Sequence, residues 1–371
     1  MKKLLLLGGG HAHVHVLKSL AESRLANVDV TLISPFVRQV YSGMLPGWVA
    51  GHYEIEQCVI PLAPLARAAG ARYLETAGEH IDFSTRTVHC ADRSMLAFDV
   101  LSIDTGPVAN TSVIPGAVEN AVAVRPIEAF IDAYEDIARD VAARHRAGQR
   151  TRIVFVGAGA AGIELALAMQ HAYRHAETTF TLISAANTLP GSVGPRLARI
   201  LTKRGFCLLP GKAAARIDAH CVHLQTGEMI EADHIIVSTG ASAAAWPGTS
   251  GLATDAAGFI IVDHHLQSVS HPGVFAAGDC ASMQNAPRPK SGVYAVRAGP
   301  PLAENLRRSL HGQSLTRYTP QKHSLYLIST GDQYAIGSWG NWAWEGAWVW
   351  RWKDRIDRGF IGKYSAAITQ Q

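Results

Sequence analysis

The sequence predicts an α/β fold of two parallel-sheet units, the second inserted in the first, followed by an α+β tail. Three observations predict it. A βαβ pattern occurs twice, as KLLLLGGGHAHVHVL with VDVTLIS and as RIVFVGAGAAGIELAL with TFTLIS. The second strand of each copy ends on the same four letters, Thr31 to Ser34 and Thr181 to Ser184. A strand closing on glycine also recurs, FDVLSIDT before Gly106 and HIIVST before Gly240.

The elements follow in order. Residues 3–8 and 28–34 read as strands around a helix near 11–22. Residues 98–105 form another strand, and Pro107 with the Pro115-Gly116 pair marks a crossover. A polar helix covers about 126–147, and the second unit opens at Arg152. The strand at 234–239 is expected to start the return to the first unit. Residues 273–279 give a short strand ending on a carboxylate, and a helix runs through about 293–309. The tail changes character from 320, with six of the eight tryptophans between Trp339 and Trp352. The expected domains are 1–115 with 234–310, the inserted 116–233, and the tail 311–371.

A Gly-x-Gly turn between strand and helix cradles a pyrophosphate, because glycine lets the backbone approach and the helix N-terminus offers unpaired N–H groups. Two such turns, in register with their strands, imply two dinucleotide sites, a flavin and a nicotinamide, and hence electron transfer. Ligands of open α/β sheets sit at the carboxyl ends of the strands, so the loops at 8–13, 34–46, 106–107 and 279–281 should converge.

Composition excludes other classes. The net charge of +4 over 371 residues is too small to argue for nucleic acid. No apolar run is long enough to span a bilayer. Met1 to Leu7 is cut too short by glycines for a signal sequence and reads as a buried strand. The five cysteines are widely spaced without a CxxC and fit a reducing cytoplasm. No metal is expected: of His11, His13 and His15 only the outer two share a helix face, and no Cys or carboxylate cluster completes a site.

These residues carry a family resemblance. GGGHAH, DTG at 104–106, GAGAAG with Glu164, STG at 238–240 and AAGD at 276–279 resemble the two-dinucleotide flavoproteins. That group includes pyridine nucleotide-disulfide oxidoreductases, type II NADH dehydrogenases and sulfide:quinone oxidoreductases. Three longer stretches, SPFVRQVYSGMLPGWVAGHY, PKSGVYAVRAGPPLAENL and LYLISTGDQYAIGSWGNW, resemble a narrower group. It is the NADH-dehydrogenase-like flavoprotein fused to, or found beside, selenide, water dikinase. No kinase domain follows Gln371, so a stand-alone version is expected.

The resemblance implies two Rossmann-like domains, with FAD in the first and NAD(P)H as co-substrate in the second. It places Gly8, Gly10 and His11 by the FAD pyrophosphate, and Asp279 on the ribityl or phosphate region. The helix near Gly292 would aim its N-terminus at the flavin. Gly157, Gly159, Gly162 and Glu164 would form the nicotinamide-nucleotide site, and Ser34, Arg38, Thr105, Gly106, Gly240 and Gly278 complete the cofactor-binding set. Three positions depart from the pattern. His13 stands where the first turn should have its third glycine, which questions close helix–strand packing. Ser34 and Ser184 stand where a carboxylate would grip the ribose, so NADH and NADPH are not separable by that rule and the second site could be vestigial.

Disulfide reductases need a cysteine pair facing the flavin, and Val40 to Trp48 contains none. Cys58 and Cys280 lack a neighbouring cysteine and read as buried structural thiols. Electrons would then pass straight to a diffusible acceptor such as a quinone. Tyr41, Met44 and Pro46 on one side, and Tyr294 and Arg297 on the other, are the flavin-proximal candidates, with loop or helix packing as the other reading of each.

In the tail, Trp344, Trp348, Trp352, Ile356 and Phe360 recur at spacing four. That face could lie in a membrane interface, or pack on its own domain or a dimer mate; packing is the preferred expectation. Localisation is therefore expected to be cytoplasmic, with peripheral contact at the inner membrane face as the alternative. The leading function is an FAD-dependent NAD(P)H oxidoreductase with a quinone-like acceptor. Two others stay open: a flavoprotein acting on sulfide or selenium compounds, and a non-catalytic flavin-binding partner with a vestigial second site.

Overall fold

A computed structural model describes residues 1–189 and 191–369. The chain starts with β1 (Lys2–Leu7), α1 (His11–Glu22), β2 (Val28–Ile33), β3 (Arg72–Leu74) and β4 (Val100–Ile103). Then come β5 (Val122–Ala123), α2 (Ile127–Arg146), β6 (Thr151–Val156), α3 (Ala160–Ala172), β7 (Thr178–Ser184), β8 (Cys207–Pro210) and β9 (His234–Val237). The last part holds β10 (Val274–Ala276), α4 (Gly292–Leu310), β11 (Leu325–Ser329), β12 (Ala335–Trp339), β13 (Trp342–Gly346) and α5 (Ala347–Thr369).

Two five-stranded sheets result. Their orders are β10-β4-β1-β2-β3 and β5-β9-β6-β7-β8. Every pairing in both is parallel. Parallel sheets are covered on both faces, which is why Leu4 to Leu7 and Ile153 to Val156 are unbroken apolar runs and fully buried. In α1, Val14, Leu17 and Leu20 recur at helical spacing and are buried. α1 packs closely on α4: a Cβ at Gly299 would lie 2.7 Å from the His15 Cβ. Each sheet has its own apolar core.

Two expectations need correction. The strand at 234–239 does not begin the return to the first unit. As β9 it pairs with β6 in the middle of the second sheet, Ile153↔His234 to Val156↔Val237. It is the second unit's counterpart of β4, and the first sheet is rejoined only at β10, which pairs with β4. The tail also differs. Trp344 lies in β13, and α5 starts after it. The face of α5 that packs inward carries Val349, Lys353, Asp357, Phe360, Ile361 and Tyr364. Of the expected packing stripe, Phe360 packs inward, but Trp348, Trp352 and Ile356 are 52%, 39% and 41% exposed. A buried ion pair, Lys353 Nζ to Asp357 Oδ2 at 2.7 Å, takes the place that apolar contacts were expected to fill.

Candidate active site: two glycine turns and one cavity

The two turns share a backbone. Gly8 and Gly157 both have positive φ, +96° and +112°, a region open to glycine. Gly10 and Gly159 cap their helices in nearly the same extended conformation, φ −68° ψ 176° and φ −66° ψ 163°. The side chains around them differ. At the second turn, a Cβ on Gly162 would overlap Ser238, whose hydroxyl donates to Gly157 O at 2.8 Å. At the first, His13 stands in the third-glycine position yet the helix still docks. Its ring is fully buried: Nδ1–H donates to Gly8 O at 2.6 Å, and Nε2 accepts from the Ser102 hydroxyl at 2.8 Å. Burial pushes its pKa down to about 4, so the ring is neutral, as this pairing requires.

Asp104 lies beneath the first turn. Its Oδ2 accepts the N–H groups of Ala12 at 2.8 Å and His13 at 3.0 Å, and its backbone O accepts from Gly10 at 3.0 Å. A Cβ at Gly10 would overlap this carboxylate, so glycine is required there by Asp104 itself. Burial drives the Asp104 pKa up to about 7.

Above this floor opens a cavity of about 580 Å³, within the ~300–1,000 Å³ usual for ligand sites. Of the residues expected to bind cofactor, Gly8, Gly10, His11, Ser34, Arg38, Thr105, Gly106, Asp279 and Gly292 line it. Gly278 lies in a smaller adjoining cavity of about 60 Å³. Sequence reasoning missed Gln39, Ser42, Asp104, Arg125 and Glu128, which also line the main cavity. Arg125 pairs with Asp279 at 3.5 Å, and Arg38 with Glu128 at 3.0 Å. His11 is half-buried, its Nε2 is buried with no hydrogen-bond partner among the described residues, and its pKa falls to about 4 through burial and then the charge of Arg125. Gly292 opens α4, and a Cβ there would lie 3.4 Å from the Ser42 hydroxyl, so the α4 N-terminus meets the Tyr41–Met44 loop.

The set fits a dinucleotide: a cavity of sufficient volume, glycines and a helix N-terminus on its wall, and an unpartnered His11 ring nitrogen. The second turn also fits. A Cβ at Gly159 or at Gly240 would meet no atom within 4 Å, which leaves room for a phosphate to approach. Ser184 is buried and donates to Ala186 O at 3.0 Å. Glu164 is turned into the protein, where Oε1 accepts the Ser329 N–H at 2.8 Å and lies 3.9 Å from Lys353 Nζ. Burial raises its pKa to about 7.

The flavin-proximal candidates are not brought together. Tyr41 stacks on Phe360 of α5 at 4.3 Å and hydrogen-bonds Asp357. Met44 and Pro46 are buried in packing. Tyr294 lines the smaller cavity, and Arg297 is exposed on α4. None of the five lines the main cavity. Lys353 joins three regions at this point: besides Asp357 and Glu164, its Nζ donates to Gly43 O.

Two parallel sheets, each with a strand–glycine turn–helix at its centre, define a two-dinucleotide oxidoreductase. The chain belongs to the pyridine nucleotide-disulphide oxidoreductase family, whose model matches residues 2–299. It is thus an FAD-dependent oxidoreductase using NAD(P)H. It is 28% identical to ferroptosis suppressor protein 1 of Xenopus tropicalis, over 69% of this chain and 68% of that protein. It is 24% identical to the alternative NAD(P)H-ubiquinone oxidoreductase C1 of Arabidopsis thaliana, over 76% of this chain and 62% of that one. The sulfide:quinone oxidoreductase structure from Aquifex aeolicus superposes with a TM-score of 0.83 at 17% identity, over 99% of this chain and 92% of that one.

Proposed function

We propose that this protein oxidises NAD(P)H and passes the electrons to a quinone, without a cysteine relay. FAD is assigned to the first turn and its cavity, and the nicotinamide nucleotide to Gly157, Gly159, Gly162 and Gly240. When bound, NAD(P)H supplies a hydride and FAD carries the two electrons onward. The chain's own residues orient and polarise. The α4 N-terminus at Gly292 presents a positive dipole end to the cavity. Arg125 and Asp279 fix a charged pair in its wall.

One observation carries the reading: no cysteine lines the cavity. Cys58 and Cys280 are buried, and burial pushes both thiols up to about 12, so neither is a thiolate at neutral pH. The name of the Arabidopsis relative supports a quinone acceptor. The test is anaerobic. NADH or NADPH should bleach the flavin, and a water-soluble quinone should restore its colour, also in a Cys58→Ser, Cys280→Ser variant. Bleaching by sulfide or selenide alone would point to the other chemistry.

The tail supports a site of action at the inner membrane face. Trp339 and Trp342 are 50% and 78% exposed and, with Trp348, Trp352 and Ile356, leave an aromatic surface open beside the exposed Arg351, Arg355 and Arg358. No helix among the described residues is long and apolar enough to cross a membrane. Co-sedimentation with anionic vesicles, lost in a Trp348→Gln, Trp352→Gln variant, tests this, and a concentration-dependent dimer would instead assign the surface to a second copy. The resemblance of SPFVRQVYSGMLPGWVAGHY and its two companions supports a selenide, water dikinase as neighbour, which co-purification tests.

A further inference from the structure

The geometry points to Asp104 as a counter-anion built into the first turn, so that FAD binding there takes up one proton onto the Asp104 carboxylate. The inference rests on the assignment of FAD to that turn. A pyrophosphate carries negative charge and is drawn to the N-terminus of a helix. Here a carboxylate has reached that terminus first. Asp104 Oδ2 already holds the N–H groups of Ala12 and His13, in the first turn of α1. Asp104 is 2% exposed, and it also lines the cavity. A Cβ at Gly10 or at Gly278 would overlap its carboxylate, so the group is enclosed from both walls and cannot swing away.

The surroundings offer it no compensating cation. From α1 it meets two backbone N–H groups, and the His13 ring, held neutral by burial, is engaged by Gly8 O and the Ser102 hydroxyl instead. From the turn after β10 it meets Asp279, whose charge opposes its ionisation, and the Cys280 thiol, which is held protonated. The nearby cations act on Asp279 instead: Arg125 pairs with it at 3.5 Å and Lys290 lowers its pKa. Four carboxylates line the cavity, Glu79, Asp104, Glu128 and Asp279. Glu128 is paired with Arg38 and Asp279 with Arg125, so of the two carboxylates at the turn, Asp104 and Asp279, Asp104 is the one that gives way when a further anion arrives. Two negative charges brought together in a poorly solvated site repel strongly, and a buried carboxyl relieves this by protonation. Oδ2 stays on the helix N–H groups, and the proton from solvent goes to Oδ1.

The Asp104 pKa of about 7 before the ligand arrives puts the effect in an accessible range. The bound form holds the proton more tightly than the free form. Below about pH 7 both forms are protonated and affinity is flat, whereas above it the free form ionises and affinity falls. The same rise in pKa means that Asp104 costs the apo fold stability as pH rises through about 7.

The experiment dilutes the yellow holoprotein and reads released FAD by its fluorescence from about pH 6 to about pH 8.5. The expected Kd is flat below about pH 7 and rises toward tenfold per pH unit above it. Asp104→Asn keeps an acceptor for the two N–H groups and should give a flat profile with tighter FAD at the alkaline end. Asp279→Asn should keep the slope. A flat wild-type profile, an unchanged slope in Asp104→Asn, or a slope lost only in Asp279→Asn would overturn the inference. If Asp104→Asn does not fold, Asp104→Ser retains a helix cap and serves in its place. Proton uptake on FAD rebinding, read with an indicator dye in weak buffer, gives a direct count on the wild type: one proton above about pH 7, against none if the inference is wrong. A protein that purifies without flavin would instead refute the assignment of FAD to the first turn.

Discussion

The two glycine turns have the same backbone and opposite interiors. Their strands pair in the same register pattern, Lys2↔Val28 to Leu7↔Ile33 and Thr151↔Thr178 to Val156↔Ile183. Beneath the first lie a carboxylate that takes two N–H groups of the helix N-terminus and a neutral imidazole that donates to the Gly8 carbonyl. Beneath the second a serine and a third glycine do the packing, and the space beside Gly159 stays open. A repeated unit thus keeps φ and ψ, because the turn cannot form otherwise, and changes what fills the space below. The first turn forms part of a cavity wall, whereas the second leaves the space beside its helix-capping glycine open.

Variants should separate the two turns, the largest effect coming from the tail that props the second. Lys353→Ala removes the cation that joins Asp357, Glu164 and the Gly43 carbonyl. Leaving buried carboxylates unpaired costs about 3–5 kcal/mol. A fall of that size in unfolding free energy is expected in denaturant titration, whereas Lys353→Met with Asp357→Leu should recover much of it.

Gly10→Val comes next. Its side chain would overlap the Asp104 carboxylate, and overpacking of this kind costs about 1–3 kcal/mol. The variant should be colourless or insoluble. At Gly159 an added Cβ meets nothing within 4 Å, so the Gly159→Val side chain starts in open space. This variant should fold, stay yellow and lose only nicotinamide binding, with flavin reduction slowed at least about tenfold, or about 1.4 kcal/mol. Equal loss of FAD in both variants would contradict the contrast drawn between the turns.

Ser184→Glu gives the smallest effect. Wild-type discrimination between NADH and NADPH should be under about tenfold, since Ser184 carries no charge to repel a 2′-phosphate. The glutamate should move the ratio of flavin-reduction rates toward NADH. An unchanged ratio would place the adenosine ribose elsewhere.

The turns were legible because they are local. Positive φ demands glycine, and an apolar run before it demands a strand. What was hidden depends on partners distant in sequence. HIIV at 234–237 with its flanks reads as a buried strand in either sheet, and only its pairing with β6 decides which. Spacing four marks a helix from Trp348 onward, although Trp344, the first of the series, lies in β13. It could not tell that Lys353 and Asp357 would be buried together while Trp348 and Trp352 faced out, because that choice depends on Gly43 and Glu164. His13 looked like a defect in the fingerprint until Ser102 appeared beside it. Asp104 belongs to the DTG stretch, but its weight comes from Ala12, His13 and Asp279, all far from it in sequence.

The central claim is that electrons cross from a ligand at the second turn to one at the first and leave to a quinone without a thiol. Anaerobic stopped-flow absorbance of the holoprotein tests it most directly. The account predicts that NADH or NADPH bleaches the flavin in wild type, that Gly159→Val slows this step with FAD still bound, and that added quinone restores the colour. A flavin that neither nicotinamide reduces would make the second turn a relic of duplication and contradict the account.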